Sequence, residues 1–225
     1  MKENERVLVV AVHPDDETLG CGGTLLKHRQ QNDELHWLIA TAMSETTGYS
    51  SEQVIRRQQE IEWVGDNYGF TSIHQLGLSP ARVDQEPLHQ LVENISRVIR
   101  EIRPTTLYLP FAHDVHSDHR VVFQATYSCT KAFRYPFIRR ICAMETLTET
   151  EFSPSLGGQV FTPNLFVDIS SFLQVKLEIM ACYQSEVGKH PFPRSPESIT
   201  AQAMVRGAAS HCRYAEAFML LKEIW

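Results

Sequence analysis

No apolar run in this chain approaches the length needed to cross a bilayer, and the first of them, residues 7–12, is only six residues long. That is too short for the hydrophobic part of a secretory leader, and the residues before it, MKENER, are charged. Neither export nor membrane insertion is expected. Paired cysteines are also missing: the five thiols, at 21, 129, 142, 182 and 212, are odd in number, scattered and free of any CxxC spacing. A disulfide framework is thereby excluded, and reduced thiols in a cytoplasmic protein are expected. Positive charge is in short supply, with 21 Lys and Arg against 27 Asp and Glu for a net charge of −6. Such a chain has no general attraction for phosphate polymers, so nucleic acid is not an expected partner. Repeats and low-complexity segments are absent too. What remains is an ordinary globular composition, 43% hydrophobic and 21% charged. A length of 225 residues suits one domain, 1–225, able to bury its own core. Association into a homo-oligomer is left open.

The patterning alternates between strands and helices. RVLVVAV (6–12) and LHWLIATAM (35–43) read as strands buried on both faces, with a helix over GTLLKHRQQN between them. Residues 50–69 read as a helix capped by serine and stopped at Gly69, followed by a short strand, SIHQLGL. A strongly amphipathic helix is predicted from Asp84 to Pro104, then a strand at TLYLP (106–110) and a helix over 118–133. Strands near RRICAMET and NLFVDIS follow, with helices at about 170–187 and 195–210. The loop SEVGKHPFPRSP (185–196) is rich in turn-forming residues. Repeated strand–helix units predict an α/β fold: a doubly wound, mainly parallel, Rossmann-like sheet with helices on both faces.

Two polar clusters interrupt this apolar scheme. The first strand runs straight into HPDDE (13–17), and the fourth into FAHDVHSDHR (111–120). In the common strand order 3-2-1-4 the first and fourth strands are neighbours, and ligands bind beyond their carboxyl ends where the order reverses. The two clusters would therefore face each other across one crevice. Together they offer His13, Asp15, Asp16, His113, Asp114, His116, Asp118 and His119. Taken singly, a His-rich loop is more often a solvated turn, and Asp-Asp more often a turn or helix cap. Imidazoles mixed with carboxylates suit a borderline ion such as zinc, with Fe2+ the alternative, better than calcium or magnesium. The residues alone do not say which aspartate would ligate.

Two rival readings of the same stretch are weaker. GCGG (20–23) suggests a nucleotide-binding glycine loop, but the glycines come eight residues after the strand and Leu25 fills the last glycine slot. Close packing of backbone is the preferred role for these glycines. Cys21 stands near the cluster as a candidate nucleophile, yet acidic neighbours raise a thiol pKa instead of lowering it.

AVHPDDETLGCGGTL together with HDVHSDHR resembles the LmbE / PIG-L family of zinc-dependent N-acetylglucosaminyl deacetylases. RRQQE (56–60) is similar to the family's Arg-x-x-Glu helix, VDIS (167–170) with Lys176 to its later strand and helix, and residues 194–218 to its C-terminal segment. Nearly the whole chain is covered. The resemblance implies that His13, Asp16 and His119 bind one zinc ion, and that Asp15 is the general base toward the attacking water. It implies that His116 acts as a cation on the oxyanion or the departing amine, with Asp118 holding its ring, and that Arg57 points to the substrate pocket. Where some members carry a tyrosine two residues before that histidine, this chain has Asp114. Arg194, Arg206 and Glu216 match common C-terminal positions without an assigned chemistry.

The function so implied is metal-dependent removal of acetyl from a small N-acetylated sugar of the N-acetylglucosamine type. Its rivals are cleavage of another amide, such as that of a thiol-sugar conjugate, and metal-containing sugar binding without turnover. A basic stretch without acids, KAFRYPFIRR (131–140), reads as solvated surface, with a phosphate-bearing substrate as the alternative.

Overall fold

The first strand, β1 (Arg6–Ala11), is apolar from Val7 onward because both of its faces are covered. Val7, Val9 and Ala11 join one core cluster, and Leu8 and Val10 join the other. The computed structural model describes residues 4–154 and 158–225, so the first three residues of the charged N-terminal stretch lie outside it. Around β1 the chain winds as α1 (Asp16–Gln30), β2 (Glu34–Thr41), α2 (Ser51–Tyr68), β3 (Ser72–Leu78), α3 (Leu88–Ile102), β4 (Thr106–Leu109), α4 (Ser117–Ser128) and β5 (Arg140–Met144). It finishes with β6 (Leu165–Asp168), α5 (Leu173–Met180), α6 (Pro196–Ser210) and β7 (Ala215–Glu223). The seven strands form one sheet in the order β3-β2-β1-β4-β5-β7-β6. The five from β3 to β5 are parallel, and β7 runs antiparallel to both β5 and β6. Leu25, Ile61, Val64 and Ile179 of α1, α2 and α5 pack on one face, and Leu91, Ile95, Ile99 and Val122 of α3 and α4 on the other. The adjacency of β1 and β4 is the feature that positions the site.

Several elements differ from the expected ones, each for a local reason. The helix predicted after the glycines starts earlier, at Asp16, and is broken at Cys21 (φ −149°, ψ 20°). The second half begins anew, and the Glu216 carboxylate from β7 caps it. One oxygen accepts from the Gly23 N–H (2.8 Å), the other from the Thr24 N–H (2.7 Å) and hydroxyl (2.6 Å). A Cβ on Gly23 would lie 2.6 Å from Ile169 Cγ2, so the glycines do serve close packing. The Asp84 start predicted for the third helix is a 3-10 turn, Val83–Gln85, and α3 itself begins at Leu88. Pro87 explains the delay, because it holds Glu86 extended (φ −77°, ψ 137°). The helix expected over 170–187 ends at Met180, where the chain turns to send Tyr183, Ser185 and Glu186 toward the site. Strand β7 was not foreseen at all. Its sequence, AEAFMLLKE, is composed of good helix formers, and insertion between β5 and β6 overrides that preference.

The basic stretch 131–140 leads into the amino end of β5, at the opposite end of the parallel strands from the two polar clusters. Arg140 pairs there with Glu223 (2.6 Å) and Glu5 (3.7 Å), and Arg139 donates to the Ile224 carbonyl. It therefore cannot greet a substrate at the site, and the surface reading stands. No helix among the described residues is long and apolar enough to cross a membrane.

Candidate metal and catalytic site

The site begins where β1 must turn into α1 without leaving its polar groups unpaired. Asp16, the first residue of α1, folds back so that its Oδ2 accepts the N–H groups of Val12 (2.9 Å) and His13 (2.8 Å). Asp15 precedes it at φ 141°, a backbone region that a residue with a side chain rarely adopts. Contacts on every side hold it there. Its N–H donates to Glu17 Oε2 (3.1 Å), and its carbonyl accepts from Thr18 (3.0 Å) and Leu19 (2.9 Å). The Pro14 carbonyl before it accepts from Arg57 Nη1 (2.8 Å). Glu17 is itself enclosed, accepting from the hydroxyls of Thr18 (2.6 Å) and Tyr183 (2.9 Å). Burial pushes its carboxyl up to about 7.

From β4 and the turn into α4 the second cluster meets the first. His13, Asp16 and His119 bring one donor atom each within 4.8 Å of one another, and His13, His116 and Asp118 form a second such group. His119 Nε2 lies 3.3 Å and His13 Nδ1 3.8 Å from the same Asp16 oxygen. Each ring is held from its far side by a carboxylate. His119 Nδ1 meets Asp114 Oδ2 at 2.8 Å, and His13 Nε2 meets Asp118 Oδ2 at 3.4 Å. That pattern fixes the ring orientation of a metal-bound histidine and raises its basicity.

These residues fit a divalent ion on two grounds. His119 Nε2 is fully buried and makes no well-directed hydrogen bond, only a 3.3 Å approach to the Asp16 carboxylate, a shortfall that a metal would satisfy. The local field also demands positive charge. Burial opposes protonation of His119, yet the Asp16 and Asp114 carboxylates outweigh it and hold the ring well above the usual histidine range. Burial likewise opposes ionisation of Asp16, and the His119 and His13 contacts outweigh it, holding the carboxyl below its usual range. Two imidazoles and one carboxylate suit zinc or Fe2+.

Asp114 is the residue that sequence reasoning left without a role. It is wholly buried, its second oxygen accepts from the Thr150 hydroxyl (2.7 Å), and it orients His119. Its position, five residues before a candidate ligand and where some family members carry a tyrosine, is the signal the sequence offers. Replacing Asp114 by asparagine is expected to weaken zinc affinity by about 10–100-fold, the usual cost of losing such a partner. Isothermal titration with zinc checks this; unchanged affinity would mean that Asp114 serves the fold alone.

His116 and Asp118 are arranged differently from the expectation. The Asp118 carboxylate does not hold the His116 ring; it lies 3.9 Å from Nδ1 and accepts instead from the N–H groups of Ala81 (2.7 Å) and Val83 (3.2 Å). Its backbone N–H does the holding, donating to His116 Nδ1 at 3.1 Å as His116 caps α4. With Nδ1 accepting, the proton of the neutral ring sits on Nε2. Burial and the neighbouring His13 push His116 below the ordinary histidine value, against Asp118.

Asp15 faces the same cavity. Arg194 Nη1 donates to its Oδ2 at 2.9 Å, and Oδ1 has no partner among the described residues. Burial, then the adjacent Asp16 charge, push its carboxyl well above the usual range, with Arg194 pulling the other way. Arg57 borders the cavity, but its donors are engaged. Nε pairs with Glu60 (2.9 Å), Nη1 holds Pro14, and Nη2 reaches Glu186 (2.6 Å) and Ser185 (2.9 Å). It braces the turn that carries Asp15. His113 packs edge-on against Phe111 and belongs to neither group. Cys21 is buried, and burial, Glu216 and Glu17 push its thiol well up, so it is no nucleophile. Glu216 and Lys176 form a buried pair (2.7 Å), and Arg206 pairs with Glu145; both lie outside the cavity lining.

The cavity measures about 300 Å³ and is walled by Met43, Tyr49, Pro80, Ala81, Leu147 and Glu149 around the polar groups. That is room for one sugar ring with its substituent, with a carboxylate, an imidazole donor and an ion site converging on it.

A family model described as PIG-L: GlcNAc-PI de-N-acetylase matches residues 8–130. The chain is 26% identical over 231 residues to diacetylchitobiose deacetylase of Thermococcus kodakarensis, covering 98% of this chain and 85% of that protein. It is 23% identical over 195 residues to the probable N-acetyl-alpha-D-glucosaminyl L-malate deacetylase 2 of Bacillus anthracis, covering 83% of each. Among solved structures, N,N'-diacetylchitobiose deacetylase from Pyrococcus horikoshii, complexed with its inhibitor MPG, superposes with a TM-score of 0.77 at 20% identity, covering 98% of this chain and 85% of that one. GalB, the 4-carboxy-2-hydroxymuconate hydratase of Pseudomonas putida, superposes with a TM-score of 0.75 at 17% identity, covering 98% of each. The scaffold by itself therefore does not fix the chemistry.

Proposed function

The chain belongs to the PIG-L family, and from that premise we propose that it is a metal-dependent N-deacetylase acting on small N-acetylated amino sugars of the N-acetylglucosamine type. The observation that carries the reading is the convergence of His13, Asp16 and His119 at a sugar-sized cavity that His13, Asp15 and Asp16 line. The two curated relatives are named for different substrates, diacetylchitobiose and a glucosaminyl malate. N-acetylglucosamine is what those substrates share, so the acetamide-bearing ring is the part proposed to be recognised here.

In the proposed reaction His13, Asp16 and His119 hold the ion, zinc in the first instance. Bound there, it supplies a Lewis acid that lowers the pKa of water to about 7. Asp15 Oδ1 takes a proton from the water as its oxygen attacks the acetamide carbonyl carbon. The neutral His116 ring donates its Nε2–H to the oxyanion, a preorganised donor that needs no proton of its own from solvent. Asp15 then returns the proton to the sugar nitrogen as the C–N bond breaks, leaving acetate and a free amine. An upward-shifted carboxyl suits a group that must both take and give a proton near neutral pH. Asp118 and Asp114 keep the two ligand rings aimed, and Arg57 keeps the Pro14–Asp15 turn in its unusual conformation.

The test is hydrolysis of N,N'-diacetylchitobiose and of simple N-acetylglucosaminides by the zinc-loaded protein. Acetate and free amine are expected in equal amounts. Absence of acetate from every N-acetylated amino sugar tried, with the metal in place, would reject the reading.

A further inference from the structure

Three consecutive carboxylates at 15, 16 and 17 sit buried at one turn, and each has to be balanced separately. Asp16 faces the two candidate ligand rings, and Glu17 is met by Tyr183 and Thr18. For Asp15 the balancing group comes from 179 residues away, on the loop between α5 and α6. Arg194 spreads its guanidinium between two acids, Nη1 on Asp15 Oδ2 (2.9 Å) and Nη2 on Glu186 Oε2 (3.2 Å). Glu186 in turn accepts from Arg57, which also holds Pro14. The loop over 185–196 is thus a strap tied at both ends to the turn that carries Asp15. The match to the family model ends at residue 130, well short of it.

We infer that Arg194 is the positioning residue for Asp15, docking the strap so that Oδ2 is held and Oδ1 alone is presented to the reacting water. This inference rests on the proposed role of Asp15 as the base. Its physical content is directional. A carboxylate in a cavity can rotate about its Cβ–Cγ bond and offer either oxygen. One charge-assisted hydrogen bond to a planar, doubly anchored guanidinium removes that freedom. Lysine in the same place would supply a charge but no fork, and would not span Asp15 and Glu186 together. Arg194 borders the cavity, but both of its Nη atoms are turned to carboxylates, Asp15 and Glu186, and its Nε is buried. Its effect has to pass through Asp15.

That dependence is what an experiment can read. In the zinc-loaded protein acting on N,N'-diacetylchitobiose, Arg194→Ala is expected to lower kcat by about 10–100-fold. KM should move much less, and zinc content by elemental analysis should stay at the parental level. In an Asp15→Asn background the same Arg194→Ala change should cost under about three-fold, because the group it positions is already gone. Guanidinium added to the solution is expected to restore part of the Arg194→Ala rate, and to do nothing for Asp15→Asn/Arg194→Ala. Arg194→Lys should fall between parent and Ala, and it carries the same two-background comparison if the Ala variant does not fold. Equal losses in both backgrounds, or loss of zinc from Arg194→Ala, would overturn the inference while leaving the deacetylase reading intact. A fully active Asp15→Asn would remove Asp15 as the base and take the inference with it.

Discussion

Asp16→Asn protein is expected to fold, to emerge from purification without a divalent ion, and to have no measurable deacetylase activity. The Asp16 oxygen that faces His119 and His13 also accepts the N–H groups of Val12 and His13, so it both builds the turn and completes the ligand set. Asparagine keeps an acceptor for those two amides and removes only the charge. Alanine would strip both, leaving the buried Val12 N–H unpaired at about 1–3 kcal/mol and the part-buried His13 N–H without its acceptor, and would confuse instability with loss of metal. Without the Asp16 charge the remaining donors are two imidazoles, and the site loses the carboxylate that suits it to zinc or Fe2+. Elemental analysis, thermal unfolding with and without zinc, and acetate release from N,N'-diacetylchitobiose read the outcome. Zinc should raise the unfolding temperature of the parent, by about 2.7 kcal/mol of stabilisation at a hundred times Kd, and leave that of Asp16→Asn unmoved. A strong chelator should abolish the parental activity until zinc is returned. Parental zinc affinity in Asp16→Asn would remove Asp16 from the ligand set.

What the sequence made legible follows from how local each signal is. The doubly wound sheet could be read because β1 and β2 are apolar on both faces and α3 is amphipathic along its whole length. The facing of HPDDE and HDVHSDHR then followed from the adjacency of β1 and β4. What escaped was set at a distance. β7 is a strand only because β5 and β6 leave a gap for it. Asp114 acquires its meaning from the His119 ring and the Thr150 hydroxyl, neither of which its own neighbourhood announces. The expected pairing of Asp118 with His116 failed through a detail of helix capping: the backbone N–H reached the ring first, and the carboxylate was left for His13 and the 81–83 turn. Arg57 was expected at the substrate pocket and does border it, but its donors were already spoken for by Glu60, Pro14 and Glu186. Sequence spacing identifies which groups gather; the partners that decide protonation and orientation come from elements far along the chain.

Asp15→Asn tests the neighbour of Asp16 and should give the opposite pattern, with the ion retained and the rate lost. The amide is nearly isosteric, and asparagine tolerates positive φ better than most residues, so the backbone at φ 141° need not move. Arg194 offers only N–H donors, so the amide oxygen will take the place of Oδ2 against it. The amide nitrogen is then left facing the cavity, where Oδ1 stood. A group that only donates cannot accept the proton of the attacking water, and it has none to return to the sugar nitrogen. General acid–base catalysis is worth about 10²–10⁴ in rate, so kcat should fall by that factor, or about 3 to 5 kcal/mol of transition-state stabilisation. KM should change far less, since the contacts that hold the sugar remain. Metal analysis and steady-state kinetics beside Asp16→Asn separate the roles. An ion-free Asp15→Asn beside an ion-loaded Asp16→Asn would reverse the two assignments. Undiminished turnover in an ion-loaded Asp15→Asn would move the base elsewhere, and the strain at Asp15 would then be a feature of the turn alone.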